Sequence, residues 1–267
     1  MIAFVATPIG NLKDITLRAL EELRAADVIF CEDTRHTIKL LNAYEIKKPL
    51  FPCHKFNERE ATERIISLSR EGKLVCIVSD AGMPVISDPG GSVCAALREA
   101  GETYTVIPGA NAALCALVLS GLPADRFTFI GFLPDKTSAR RAVLERYAAV
   151  RETLLFHCAP QDVDAYLALM HEILGERRAC AVREITKLHE ESVSFMLSQG
   201  LPGEKRGEYV LVVEGAKESE NALNALSVRD HVLTYMREGM DKKEALKRAA
   251  RDRGVPKSAL YKETLDL

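Results

Sequence analysis

Tryptophan is absent from the 267 residues, and aromatic residues make up only 6% of them. Stacking on any planar ligand must come from a few Phe, Tyr or His rings, or from Arg guanidinium planes. No Cys-x-x-Cys pair occurs among the seven cysteines. The spacings of Cys31 with His36 and of Cys53 with His54 fit no standard zinc finger or ribbon. Reduced thiols packed in a core, with no metal site, are the expectation. Neither G-x-G-x-x-G nor a Walker A sequence is found, which removes the Rossmann fingerprint and the P-loop. No apolar run reaches the ~18–20 residues that a transmembrane helix requires. The start, Met1-Ile-Ala-Phe-Val-Ala, reads as a buried strand and has no basic stretch ahead of a long apolar core. A cytoplasmic protein without membrane association is therefore expected. Charge of one sign is lacking too: 36 Lys and Arg against 38 Asp and Glu leave −2 at pH 7. Only a local basic face would then bear on nucleic acid.

What is present is a regular alternation. Short apolar runs at Ile2–Ala6, Val28–Cys31, Leu74–Val78 and Thr103–Ile107 read as strands. Helical patterns fall between and after them at Thr16–Ala25, Thr34–Ala43, Glu58–Arg70, Ser92–Glu99 and Asn111–Leu119. Strands without polar alternation are buried on both faces, which with intervening helices predicts a largely parallel α/β sheet. Gly121-Leu-Pro marks a break. Beyond it, strands are expected at Phe127–Gly131, Thr153–His157, Arg178–Glu184 and Tyr209–Val213, with helices at Ser138–Ala149 and Val163–Leu174. An antiparallel strand around Glu190–Leu197 would make this second sheet mixed. Lys217–Ala225 suits a linker. Arg229–Arg237, Lys242–Arg253 and Lys257–Thr264 then read as three short helices, separated by Gly239-Met-Asp and Gly254-Val-Pro. The expected organisation is an α/β domain over 1–120, a second over 121–217, and a basic, helix-turn-helix-like tail over 227–267. On pattern alone that tail is equally a helical cap with solvated charges.

Four stretches carry candidate chemistry. Val78-Ser-Asp-Ala-Gly-Met-Pro-Val-Ile-Ser-Asp-Pro-Gly-Gly follows a buried strand, at the end where parallel sheets bind ligands. Its glycines permit close approach, and its carboxylates, Asp80 and Asp88, suit a ribose, an ammonium or a sulfonium rather than a phosphate. Ile107-Pro-Gly-Ala-Asn is a second turn of that kind, and Ala6-Thr-Pro-Ile-Gly-Asn-Leu a third that spacing alone leaves unassigned. Glu32-Asp-Thr-Arg-His-Thr brings acids, a guanidinium and an imidazole together, a set that can hold a ribose hydroxyl, accept its proton and grip a phosphate. As plain structure it is a helix cap at Asp33 or Thr34 with exposed neighbours. Arg183-Glu-Ile-Thr-Lys-Leu-His-Glu-Glu is a similar mixed cluster.

Together with Ile86-Ser-Asp-Pro-Gly, Gly131-Phe-Leu-Pro and Gly207-Glu-Tyr-Val-Leu-Val-Val-Glu-Gly, these stretches run in order across residues 1–217. They resemble the ribosomal RNA small-subunit methyltransferase I family of the tetrapyrrole methylase superfamily. The resemblance implies a two-domain tetrapyrrole-methylase-like fold, a homodimer, and S-adenosylmethionine held by Pro8, Asp80, Ala81, Gly82, Ile86, Ser87, Asp88, Pro108, Gly109 and Asn111. Backbone near Phe156–Cys158 and Tyr209–Leu211 would complete that pocket. The implied reaction is 2′-O-methylation of cytidine 1402 in 16S rRNA of the small ribosomal subunit. Glu32 or Asp33 would accept the proton, with Arg35 and Lys187 positioning phosphates. The chain departs from the family pattern at Met83-Pro-Val, at Cys53-His-Lys-Phe-Asn-Glu and at His157-Cys-Ala-Pro-Gln-Asp. The alternatives are a methylase of tetrapyrroles or other small molecules, and a non-catalytic ribosome-binding module. The Glu32–His36 cluster and the basic tail favour RNA over the first, and the whole Asp80–Gly91 loop favours an enzyme over the second.

Overall fold

The computed structural model describes residues 1–88, 90–217, 222–253 and 255–264. Pro89 of the long loop, residues 218–221 of the expected linker, Gly254 of the second break and the last three residues lie outside them. The chain forms two compact units, Met1–Gly215 and Ala216–Leu267.

The first unit begins with β1 (Ile2–Val5), α1 (Leu17–Ala25), β2 (Val28–Cys31), α2 (Thr34–Ala43) and β3 (Leu50–Pro52). It continues with α3 (Glu58–Arg70), β4 (Val75–Val78), α4 (Gly91–Glu99), β5 (Tyr104–Ile107) and α5 (Ala112–Ser120). The five strands pair in the order β3-β2-β4-β1-β5, every pair parallel. As the unbroken apolar runs require, β1, β2 and β4 are buried at every position. Ala3, Val5, Ile29 and Cys76 pack on one face against Leu23 and Leu41, while Ile2, Phe4, Phe30 and Ile77 pack on the other against Ile65 and Leu97. Thr16 caps α1 by accepting the Ala19 N–H at 3.1 Å, so the first helix starts one residue later than its pattern suggests.

The second sheet is built from β6 (Phe127–Phe132), α6 (Thr137–Tyr147), β7 (Thr153–Cys158), α7 (Val163–Leu174), β8 (Arg178–Arg183), β9 (Glu191–Met196) and β10 (Tyr209–Val213). Its order is β6-β7-β10-β8-β9. Only β6 and β7 run parallel, so the sheet is mixed, and the strand expected around Glu190–Leu197 lies antiparallel to β8. One face covers α6 and α7 through Leu144, Phe156, Tyr166 and Leu211. The other receives α5, through Ala113, Ala116 and Leu117, together with Ile9 from the first loop.

The second unit contains α8 (Val228–Arg237), α9 (Lys242–Asp252) and α10 (Lys257–Tyr261). Ser227 and Asp241 cap the first two by accepting the N–H groups of Asp230 and Glu244. Val232, Tyr235, Leu246, Ala249 and Leu260 form its core. His231 is fully buried there, with Nδ1 accepting from Arg253 Nε at 3.1 Å.

Candidate active site

Strand order puts four loops side by side. Because β4 returns between β2 and β1, the turns that follow β2, β4, β1 and β5 meet at one edge of the parallel sheet. That reversal is where open α/β sheets bind ligands. Thr7 and Gly82 exchange both backbone hydrogen bonds, at 2.8 and 3.1 Å, tying the first loop to the long one. The Ala6 N–H donates to the Ile107 carbonyl at 3.1 Å, and the Asp33 N–H to Asp80 Oδ1 at 3.2 Å. Gly109 is required by contact, since a Cβ there would lie 2.8 Å from the Ala6 Cβ. Asn111 caps α5 by accepting the Leu114 N–H at 3.1 Å.

Beside these loops opens a cavity of about 360 Å³. Ala81, Gly82, Ile86, Ser87, Asp88 and Asn111 line one side, and Phe132, His157, Cys158, Glu208 and Tyr209 of the second sheet line the other. The backbone bends sharply here: Val85 has φ 78° and Ser87 φ 63°. A β-branched residue in the left-handed region is strained, and such strain concentrates at ligand-binding loops. Of the other residues expected to hold cofactor, Pro8 and Asp80 line a neighbouring depression with Gly10, His36 and Lys39. Pro108 and Gly109 do not line the cavity; they shape the turn beneath it. Sequence reasoning did not single out Ile9, Ala112, Phe132, Ile185 or Glu208, which also line it. Phe132 and Glu208 do fall inside family-like segments, which was the available signal. His157 sits between Phe129 and Phe132, with ring centroids 5.2 and 5.3 Å away. Burial pushes its pKa down, against the pull of the Glu208 charge.

A third depression is lined by Glu32, Asp33, Thr34, Arg35, His54 and Asp80. Its two candidate bases differ. Asp33 caps α2 by accepting the Arg35 N–H at 2.8 Å, and the Arg35 Nε and Nη2 donate to its two oxygens at 3.1 and 2.7 Å. These bonds hold its pKa down at about 2, so it is a poor proton acceptor. Glu32 is raised, by burial first and then by the Asp80 charge, with His54 opposing. Asp88 is pushed up to about 6, again by burial first and then by Glu32 and Asp80. Three carboxylates that repel one another favour a cationic ligand or a shared proton.

Lys187 is not among the residues lining the Glu32 depression. Its ammonium donates to Glu184 at 3.0 Å and Glu208 at 2.7 Å. Desolvation would lower its pKa, but those two acids outweigh that and leave it raised. The Lys187 stem covers Gly10, where a Cβ would lie 2.6 Å from the Lys187 Cγ, and the Asn11 N–H donates to Thr186 Oγ1 at 3.0 Å. The first loop is thus clamped between the long loop and the segment after β8, a role that its spacing does not reveal.

Residues 1–199 match the Tetrapyrrole (Corrin/Porphyrin) Methylases family. Across 98% of its length the chain is 41% identical to ribosomal RNA small subunit methyltransferase I of Bacillus subtilis (strain 168), covering 92% of that protein. Its identity to the protein of the same name from Escherichia coli O157:H7 is 42%, over 98% of this chain and 93% of that one. Among solved structures, uroporphyrin-III C-methyl transferase from Thermus thermophilus, complexed with S-adenyl homocysteine, is similar with a TM-score of 0.55. That pair is 20% identical over 79% of this chain and 96% of the other, a likeness of fold.

Proposed function

The chain belongs to the ribosomal RNA small subunit methyltransferase I family of the tetrapyrrole methylases, and from that premise we propose that it methylates the ribose 2′-oxygen of cytidine 1402 in 16S rRNA. The observation that carries this reading is the adjacency of two chambers. Ala81, Gly82 and Asp88 line the cavity, while their neighbour Asp80 lines the depression that holds Glu32.

The cavity fits the donor. Its volume of about 360 Å³ falls within the range of small-molecule sites. Ile9, Ile86 and Val210 give it apolar walls, and Asp88 and Glu208 give it carboxylates for a cationic, ribose-bearing ligand. S-adenosylmethionine, when bound, supplies a methyl group already activated by a sulfonium leaving group. What remains for the chain is to align the acceptor and remove its proton. Glu32 is the base: its raised pKa makes it a better acceptor than Asp33, whose oxygens are committed to Arg35 and the helix cap. Such a base contributes on the order of 10²–10⁴ in rate. Arg35, with 88% of its side chain exposed, offers its outer edge to a phosphate. Lys187, paired with Glu184 and Glu208, braces the first loop against the second sheet.

The acceptor is the small ribosomal subunit in the cytoplasm, and the working protein is a homodimer. Helix α5 supports the dimer. It is apolar around its whole circumference, yet only Ala113, Ala116 and Leu117 are buried, leaving Leu114 47% and Val118 78% exposed. A helix apolar on every side belongs in an interior. Methyl transfer from labelled S-adenosylmethionine to 30S subunits, naked 16S rRNA and a tetrapyrrole, with mapping of the modified nucleotide, tests the function. Label on the tetrapyrrole alone would overturn it.

A further inference from the structure

The Glu32 depression has an aromatic neighbour that the reaction as described does not use. Phe56 is 94% exposed, and its ring centroid lies 6.2 Å from that of His54, which lines the depression. One exposed apolar side chain is ordinary in itself. Phe56 is distinguished by where and how it is held. The turn that carries it, between β3 and α3, is fastened on both sides by Asn57. The Asn57 Oδ1 accepts the His54 N–H at 2.8 Å, and its Nδ2 donates to the Pro52 carbonyl at 3.0 Å. The Asn57 N–H closes the turn onto the His54 carbonyl at 2.9 Å. A ring presented on a fixed turn loses little freedom when a ligand covers it. His54 has hydrogen-bonding capacity that the described residues leave unused, its Nδ1 being buried without a partner.

The chemistry around the ring is graded. Glu32 and Asp80 line the depression with carboxylates, which suit ribose hydroxyls and repel phosphate. Cations sit on the exposed face of α2: Arg35, and one turn on Lys39, with His36 beside them. Among the described residues, no ion pair or side-chain hydrogen bond engages His36 or Lys39. An aromatic platform, an acidic lining and cations on the adjoining helix face supply what a nucleotide requires: a π-face for the base, acceptors for the sugar and positive charge for the phosphate. Sequence-specific RNA recognition commonly takes an unstacked base onto such a ring.

We propose that Phe56 is the platform on which the acceptor nucleoside stacks its base, with the ribose entering the depression between His54 and Glu32. This rests on the RNA methyltransferase reading and names the part of the site that selects the acceptor. The base leaves its neighbours in the RNA and lies on Phe56, and the attached ribose presents its 2′-hydroxyl to Glu32. A phosphate on one side remains at Arg35, and one on the other side reaches Lys39, which lines the neighbouring depression.

Phe56→Ala should raise KM for 30S subunits about tenfold or more, as loss of one base–aromatic stack does. It should leave S-adenosylmethionine affinity, measured by calorimetry, unchanged. Phe56→Tyr should restore KM. The chain has no tryptophan, so Phe56→Trp places a single fluorophore at the platform. Its emission should be quenched on titration with the RNA substrate, and kcat should be retained. Wild-type methylation of 30S subunits, with an unchanged KM in Phe56→Ala or no quenching in an active Phe56→Trp, would overturn the platform and leave the RNA methyltransferase reading intact. No transfer to rRNA by the wild type, together with no quenching, would overturn both.

Discussion

Glu58 reaches from the first turn of α3 to the start of α4, where its Oε1 accepts the Gly90 N–H at 2.9 Å and its Oε2 accepts from the Ser92 hydroxyl. Helix α4 has no side-chain cap of its own, because its N-cap residue is Gly90. A carboxylate from another helix therefore does the capping and also fixes the far end of the long loop after β4. Loss of a capping side chain costs about 1 kcal/mol. The same change should free the loop that lines the cavity. Glu58→Ala should weaken S-adenosylmethionine binding several-fold by calorimetry and lower Tm slightly. Unchanged affinity would show that the loop is held from its other end alone, through Thr7 and Gly82.

Glu32 and Asp33 are adjacent in sequence but unlike in environment. Burial and Asp80 raise the first, whereas Arg35 and the α2 cap hold the second at about 2. Glu32→Gln should lower kcat on 30S subunits by about 10²-fold or more. Asp33→Asn keeps a capping oxygen and should lower kcat far less, with its main effect on KM through a loosened Arg35. In the wild type, kcat should fall with decreasing pH as Glu32 takes up a proton, and Glu32→Gln should abolish that fall. A larger loss of kcat in Asp33→Asn than in Glu32→Gln would reverse the assignment.

Much of this was legible along the chain, for definite physical reasons. Apolar strands such as Val28–Cys31 and Tyr209–Val213 declare themselves because both their faces are buried. Helix starts declare themselves through oxygen-bearing caps at Asp33, Asn111 and Asp241, whereas Thr16, the cap of α1, reads by pattern as part of the helix. The short edge strand Leu50–Pro52 did not, since three residues ending in Pro carry no periodicity. It exists because Phe51 packs beside Phe30, with ring centroids 5.5 Å apart. The glycine-rich loops of the cavity could be read from their place after strands. Its opposite wall, near Phe156–Cys158 and Tyr209–Leu211, was reached through the family resemblance alone, because Phe132, His157 and Glu208 arrive through the packing of a second sheet that no local spacing announces. Lys187 likewise read as one member of a charged cluster, while Glu208, the partner that fixes it, is 21 residues away.

Asp88 links the cavity to pH-dependent stability. The unfolded chain loses this proton near pH 3.8, whereas the folded chain keeps it to about 6. Between those values the folded state binds more protons, so this group's contribution to stability falls as pH rises from about 4 to about 6 and stays low above. Asp88→Asn removes the cost. Its Tm should exceed that of the wild type at pH 8, and the gap should narrow at pH 5. Affinity for S-adenosylmethionine should fall in the same variant, the exchange expected where a strained site serves binding. A Tm at or below that of the wild type at pH 8 would show that Asp88 makes stabilising contacts outweighing its burial.

His231 gives the C-terminal unit the opposite response. Burial pushes its pKa below the ordinary 6.5 and the Arg253 charge adds to this, while Asp252, 3.4 Å from Nε2, opposes. An unfolded chain takes up a proton near 6.5 that the folded unit refuses. The stabilisation is therefore present above that pH and is lost as pH falls through it. Protonation would also remove the Nδ1 lone pair that accepts from Arg253. Amides of α8 and α9 should exchange hydrogen faster relative to those of β1 and β4 at pH 5.5 than at pH 7.5. His231→Phe should flatten that difference. An equal ratio at both pH values in the wild type would exclude His231 as its source.

Helix α5 sets the last expectation, because its two faces make different demands. The inner face buries Ala116 and Leu117 against the second sheet, and Leu117→Ala should cost about 2–5 kcal/mol in stability, as core truncations do. The outer face leaves Val118 78% exposed, so Val118→Glu should leave the fold of the protomer intact. If that face is covered by a second copy, a carboxylate on each protomer would be buried without a partner. Sedimentation equilibrium should then show a dimer for the wild type and a monomer for Val118→Glu. A Val118→Glu protein that remains dimeric would place the interface elsewhere on the chain.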